Sequence, residues 1–206
     1  MAQLETLFAT RVYRARLGGR NSVRLLADLR ATCLAVAAED TAGQRWSREN
    51  AYPGYTSYAS LNDLPWRMPA FADLQRHLDA HVKRFAQALE LDLGERPLVL
   101  DSLWINVLEP GGSHAAHIHP NSVVSGTCYV AVPKGASAIR FEDPRLGQMM
   151  AAPPRRPDAR PENRAFVSIV PQPGTVLLWE SWLRHDVPVN RARQRRISVS
   201  FNYRWE

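Results

Sequence analysis

Apolar positions in the first part of the chain recur at helical spacing. Val23, Leu26, Leu29, Cys33, Val36 and Ala37 fall along one side of a helix that Asn21 or Ser22 can cap, because a short polar side chain there accepts from free backbone N–H groups. Phe71, Leu74, Leu78, Val82, Phe85 and Leu89 repeat the pattern after Pro69, whose missing N–H costs nothing at a helix start, and Gly94 supplies a stop. Between these two, residues 41–69 are rich in Gly, Pro, Tyr, Ser and Asn and predict an irregular connection. From Leu98 onward short strands are expected over 98–108, 125–132, 137–142, 164–170, 175–180, 182–188 and 195–204, divided by Pro and Gly. In the last of them Arg196, Ser198, Ser200 and Asn202 alternate with Ile197, Val199, Phe201 and Tyr203, so one face is polar and the other apolar. In a barrel that encloses a ligand cavity, that polar face looks inward.

Many short strands after a helical beginning predict a mostly β fold with N-terminal helices and a double-stranded β-helix (jelly-roll, cupin-like) core. A chain of 206 residues, 45% hydrophobic, suits one domain over 1–206. Residues 1–95 then serve as helical and irregular support and 96–206 as the core, with 143–163 as a Pro- and Arg-rich insertion that is either a lid or an excursion. No run of about 18 apolar residues predicts a membrane helix, and Met1–Arg20 lacks the apolar segment of a secretory signal. Cys33 and Cys128 form no C-x-x-C and read as buried thiols in a reducing cytoplasm.

The net charge of +6 rests almost wholly on arginine, since Lys83 and Lys134 are the only lysines. Arginine pairs carboxylates and phosphates through two parallel hydrogen bonds, so an anionic small-molecule or peptide substrate is expected. The basic clusters 155–164 and 191–196 lack the interleaved aromatics of a single-strand binder, which favours a solvated loop or substrate rim over nucleic acid. A homodimer stays open.

Candidate chemistry concentrates in the histidines. His77 and His81 lie four apart on the predicted helix and read as ordinary helix surface without a third ligand. In Gly111-Gly112-Ser113-His114-Ala115-Ala116-His117-Ile118-His119-Pro120 the density is much higher, and His117 and His119, two apart on an extended strand, point to one face and can address one metal ion. His185 follows 66 residues after His119, and Arg196 lies 11 residues beyond that. Two close ligands, a distant one and a trailing strand arginine that could clamp a carboxylate are what a mononuclear iron oxygenase using a keto acid requires.

About half of the chain resembles a family of bacterial 2-oxoglutarate/Fe(II) oxygenases. The resemblance is carried by Trp104-Ile105-Asn106, His117-Ile118-His119-Pro120, Ser125-Gly126 with Tyr129, Asp143-Pro144-Arg145, Trp182-Leu183-Arg184-His185 and Arg196-Ile197-Ser198-Val199-Ser200-Phe201-Asn202. It implies that His117, His119 and His185 hold Fe(II). It also implies that Arg196 binds the distal carboxylate of 2-oxoglutarate, assisted by Ser198, Tyr129 and Asn106. The wider superfamily has H-x-D where this chain has His117-x-His119, so Glu142, Asp143 or His114 stay open as the third ligand. Two rivals remain. A cupin-type metalloenzyme without keto acid lacks its expected glutamate, since residues 123 and 124 are both valine, and Gly174 and His185 are 11 apart where that motif has a few residues. A non-catalytic ligand-binding jelly roll predicts no tight metal.

Overall fold

The computed structural model describes residues 1–19 and 21–206. Strand β1 (Val12–Arg16) precedes helices α1 (Ser22–Glu39) and α2 (Thr41–Glu49). Strand β2 (Gly54–Thr56) leads to a single helical turn, α3 (Leu64–Arg67), and to the long helix α4 (Pro69–Ala88). Eight strands follow: β3 (Leu98–Leu108), β4 (His114–His117), β5 (Val124–Ala131), β6 (Ile139–Glu142), β7 (Phe166–Ile169), β8 (Thr175–Glu180), β9 (His185–Val187) and β10 (Arg196–Trp205). They form a six-stranded sheet, β1-β8-β5-β10-β3-β2, and a four-stranded sheet, β4-β9-β6-β7, in which every pairing is antiparallel. This is the mostly β jelly-roll architecture that the strand pattern predicts.

Strand β10 separates packing from chemistry. Ile197, Val199, Phe201 and Tyr203 join Leu103, Ile105 and Val107 of β3 in a core that also takes Leu25, Leu29, Cys33 and Val36 of α1 and Phe71, Leu74, Leu78, Val82 and Phe85 of α4. Each such side chain taken fully out of water contributes on the order of 1.5–3 kcal/mol. Tyr203 also donates its hydroxyl to Asp79 Oδ1 at 2.6 Å, which ties α4 to the sheet. The alternate residues of β10 line the inner face, where a register of Ser198 against both Asn106 and Tyr129, and Ser200 against both Trp104 and Thr127, builds a polar floor.

Several local expectations are corrected. The buried stripe of α1 is Leu25, Leu29, Cys33 and Val36, while Val23 is 82% exposed. Neither polar candidate caps that helix through its side chain; Asn21 contributes only its backbone carbonyl, accepting from Leu25 N–H at 2.8 Å. Residues 41–69 are not simply irregular. Helix α2 is started by the Asp40 side chain, which accepts from Gly43 N–H at 2.9 Å. Gly43 itself is demanded by packing, since a Cβ there would lie 2.2 Å from Asp40 Oδ2. Helix α4 ends at Ala88, with Glu90 at φ 57° turning the chain before Gly94 is reached. Cys33 and Cys128 are both buried and free, as expected. Among the described residues, no helix is long and apolar enough to cross a membrane.

Candidate metal centre and carboxylate pocket

The register of β4 against β9 sets His117 directly opposite His185. His119 lies just beyond the end of β4, not on the strand as the i,i+2 reading has it; its backbone N–H donates to Ser181 O at 3.0 Å, and this holds it beside the other two. One ligand nitrogen from each of the three histidines lies within 4.8 Å of the others, and they are the only such cluster of potential metal ligands among the described residues.

Backbone carbonyls fix the tautomers. His117 Nδ1 lies 2.7 Å from Ala115 O and His185 Nδ1 2.9 Å from Leu183 O. A carbonyl only accepts, so each Nδ1 carries the proton and each Nε2 keeps its lone pair. His119 Nε2 and His185 Nε2 are 3.3 Å apart. Burial, followed by the neighbouring histidines, lowers the His185 pKa to about 3. Burial and then His117 lower that of His119 to about 4, so both are neutral near pH 7. Neutral imidazoles with converging lone pairs are the form that binds a first-row divalent metal. Trp179 packs edge-on against His185 at 4.7 Å between centroids, and Trp104 stacks on His119 at 5.9 Å.

Arg196 opens β10 on the same inner face and is 1% exposed. Its Nη1 reaches only Ser198 Oγ at 3.4 Å, and its guanidinium carbon lies 5.0 Å from the centre of the Tyr129 ring. Arg196 Nε and the Tyr129 hydroxyl are buried with no partner, and so is Trp179 Nε1. Buried donors left unsatisfied cost roughly 1–3 kcal/mol each, so such groups in a folded interior call for a ligand or bound water. A guanidinium and a phenol with free donors suit a carboxylate. The donor sets therefore fit Fe(II) and a keto acid in type.

Asn106 is placed differently from the other three residues expected at the keto-acid pocket. Its Oδ1 accepts from Thr56 Oγ1 at 3.0 Å and Tyr52 OH at 3.2 Å, and its Nδ2 donates to Ser200 Oγ at 3.1 Å. It braces the floor. The alternative third ligands are elsewhere: Glu142 pairs with Arg184 at 3.2 Å and Asp143 with Arg145 at 2.9 Å. His114 Nε2 lies 2.7 Å from the Tyr52 hydroxyl. Burial first, then Arg196 and His117, hold the His114 pKa down at about 3. His81 is not helix surface; it is buried, with Nδ1 3.0 Å from Tyr13 OH.

The sequence reading missed Tyr52, because the segment that carries it has no periodicity. It also overlooked Trp179, which reads as one more apolar strand residue. The 143–163 insertion folds with residues 4–10 around a cavity of about 1040 Å³ whose lining includes Arg145, Arg155, Arg160 and Arg164 but none of the three clustered histidines and not Arg196.

Residues 102–202 match a family model described as "Putative 2OG-Fe(II) oxygenase". No curated protein matches the chain. Among solved structures, the chain is similar to the non-heme alpha-ketoglutarate-dependent epimerase SnoN of nogalamycin biosynthesis, with TM-score 0.64 and 14% identity over 95% of this chain and 76% of that one. It is similar also to a Pseudomonas putida prolyl-4-hydroxylase, with TM-score 0.57 and 15% identity over 96% and 89% of the two chains. HygX from Streptomyces hygroscopicus, crystallised with nickel and 2-oxoglutarate, aligns with TM-score 0.56 and 14% identity over 94% and 81%. At these identities the structural likenesses speak for the fold. The match over residues 102–202 spans the clustered histidines and Arg196 and places that stretch of the chain in the 2-oxoglutarate/Fe(II)-dependent oxygenase family.

Proposed function

We propose that residues 1–206 act as one oxygenase domain that oxidises a C–H bond of a small molecule, amino acid or peptide, with hydroxylation the default outcome. In this reading His117, His119 and His185 hold Fe(II), and Arg196, with Ser198 and Tyr129, holds 2-oxoglutarate. The observation that carries it is the coincidence, on the inner faces of two facing sheets, of three imidazole nitrogens within 4.8 Å and a buried guanidinium whose Nε lacks a partner.

When bound, the iron and keto acid supply the oxygen-activating chemistry, with 2-oxoglutarate converted to succinate and carbon dioxide. The protein supplies position and shielding. The Ala115 and Leu183 carbonyls hold two ligand rings in the tautomer that leaves Nε2 free. The Arg196 guanidinium meets the distal carboxylate, and the Tyr129 hydroxyl donates a further hydrogen bond to it. Trp179, Phe141, Leu177 and Leu183 form an apolar wall behind His185 that excludes water from this side. The third imidazole, where the superfamily has a carboxylate, leaves the metal one negative charge short, which favours retention of an anionic keto acid. The two free, buried thiols agree with a cytoplasmic setting.

The test is an anaerobic titration of Fe(II)-loaded protein with 2-oxoglutarate, following the visible metal-to-ligand charge-transfer band, beside Arg196→Ala and His119→Ala. A saturable band that weakens with Arg196→Ala and disappears with loss of iron in His119→Ala is expected. Bound iron with no band would move the chain to a keto-acid-independent cupin chemistry, and no iron binding would leave a ligand-binding jelly roll.

A further inference from the structure

We infer that Ser181, Ser125 and Asn202 are positioning residues for the metal centre, a buried hydrogen-bonded chain that fixes the one turn on which two of the three ligands hang. The inference rests on the oxygenase reading of the three histidines and adds to it the residues that set their geometry.

His119 and His185 come from different segments but share one support. The turn after β8, residues 180–183, is closed by Leu183 N–H donating to Glu180 O at 2.9 Å. Its Ser181 carbonyl accepts from His119 N–H at 3.0 Å, and its Leu183 carbonyl accepts from His185 Nδ1 at 2.9 Å. Strand β4 ends at His117, so His119 relies on the Ser181 carbonyl as its backbone tether. A shift of this turn therefore moves two imidazoles at once against His117, which hangs on the Ala115 carbonyl instead.

The turn is pinned from inside the jelly roll. Ser181 Oγ lies 2.8 Å from Ser125 Oγ, Ser125 Oγ donates to Asn202 Oδ1 at 2.8 Å, and Asn202 Nδ2 donates to Ser102 Oγ at 3.1 Å. A hydroxyl has one proton, and that of Ser125 goes to Asn202, so Ser181 is the donor to Ser125 and the chain runs in one direction. The register of the sheet sets these partners side by side, Asn202 facing Ser125 on β5 and Ser102 on β3. The same row continues on β8 as Trp179, opposite Ser125, whose indole packs against His185 at 4.7 Å.

Ser125 is 0%, Ser181 1% and Asn202 8% exposed. Polar groups at such depth are costly unless bonded, so a slide of the turn would break hydrogen bonds that water cannot replace. An apolar contact tolerates such a slide; this chain holds a single position. Supports of this kind behind metal ligands govern metal affinity. Ser125 and Asn202 both belong to motifs that the sequence reading singled out, and the binding roles proposed above use neither.

The test titrates the metal-free protein with Co(II), whose visible d–d absorption reports both affinity and coordination geometry. Ser125→Ala and Ser181→Ala break the same link from its two ends. Each should weaken cobalt binding about 10- to 100-fold and alter the d–d band, and the double variant should bind no more weakly than the weaker single one. Tyr203→Phe removes a buried hydroxyl's bond to Asp79 on the opposite face of β10 and should bind cobalt as the wild type does. Wild-type affinity and band in Ser125→Ala, losses that multiply in the double variant, or an equal loss in Tyr203→Phe would overturn the inference. Should Ser125→Ala not fold, Ser181→Ala carries the comparison with Tyr203→Phe. A wild type that binds no cobalt counts against the metal centre itself. The support is then read by amide hydrogen exchange, in which His119 N–H should exchange about 10-fold faster in either serine variant, and unchanged protection overturns it.

Discussion

Replacing Arg196 by methionine should make the protein more stable without 2-oxoglutarate and remove most of the stabilisation that 2-oxoglutarate gives. In the folded protein the guanidinium is 1% exposed, Nε has no partner, and the contact to Ser198 Oγ at 3.4 Å is near the limit of a hydrogen bond. Leaving such a group unpaired costs about 1–3 kcal/mol. Replacing it by an apolar side chain of similar length removes that cost and keeps the contact with the Tyr129 ring. Unfolding free energy in the absence of ligand should therefore rise by about 1–3 kcal/mol. With ligand the wild type makes up most or all of that difference. Truncating one partner of a buried, hydrogen-bonded charge pair costs about 2–5 kcal/mol of binding, or roughly 30- to several-thousand-fold in affinity. At a concentration one hundred times the wild type's dissociation constant, 2-oxoglutarate stabilises the wild type by about 2.7 kcal/mol, and the same concentration adds at most about 0.9 kcal/mol to the variant. Urea denaturation of the Zn(II)-loaded proteins, with and without 2-oxoglutarate, measures all four states. The reasoning fails if Arg196→Met is destabilised by more than about 1 kcal/mol without ligand, which would make the guanidinium a structural prop. It fails also if the variant keeps the ligand-induced shift.

Three further outcomes are expected. Gly126→Ala places a Cβ 2.5 Å from the Phe201 ring and 2.7 Å from Leu177 O, and should cost about 1–3 kcal/mol. Calorimetry should show the melting temperature falling by roughly 2–12 °C, and an unchanged melting temperature would disprove the close approach. For His114, burial, then Arg196 and His117, depress the folded-state pKa from 6.5 to about 3. Its contribution is thus fully present above pH 6.5 and is lost as pH falls toward 3. At pH 5 the loss amounts to about 2 kcal/mol. Comparing His114→Gln with wild type, both metal-free, at pH 7.5 and pH 5 should show the stability difference shifting by that amount in favour of the variant, and a pH-independent difference would refute the assignment. Finally, Cys33 and Cys128 are fully buried with thiol pKa values raised by burial, that of Cys128 to about 12. Ellman's reagent should react with neither until the protein unfolds; prompt release of thiolate from the native protein would contradict that packing.

How much of this was legible in the sequence follows from where the information resides. The β10 alternation is written in the chain because its two faces meet opposite environments, and the structure puts Ile197, Val199, Phe201 and Tyr203 in the core as that alternation implies. Strands β3 and β8 start and stop where their apolar runs do, at Leu98–Leu108 and Thr175–Glu180. Strand β1 was invisible. Its five residues have no clear alternation, and it is a strand only because Val12 finds Trp179 across the sheet. Helix α2 was hidden by its polar composition and by Gly43, which looks like a breaker until the neighbouring Asp40, Ser60 and Tyr55 are seen pressing on it. The clustered histidines could be picked out by spacing and resemblance. Tyr52 could not, because its partner His114 lies 62 residues away and no local pattern announces a long-range contact.

The position of β10 also has a consequence for the order of folding. It comes later in the chain than both of its sheet neighbours and must enter the gap between β3 and β5, making contacts such as Ser200 to Asn106 and Thr127 across 94 and 73 residues. Loop closures of that length slow folding. Until this strand docks, Arg196, at its start, is not yet in place beside the earlier segments that carry the three clustered histidines. The same zipper that brings Ile197, Val199, Phe201 and Tyr203 into the core also buries Arg196, so the packed core and the polar inner face are completed by one strand.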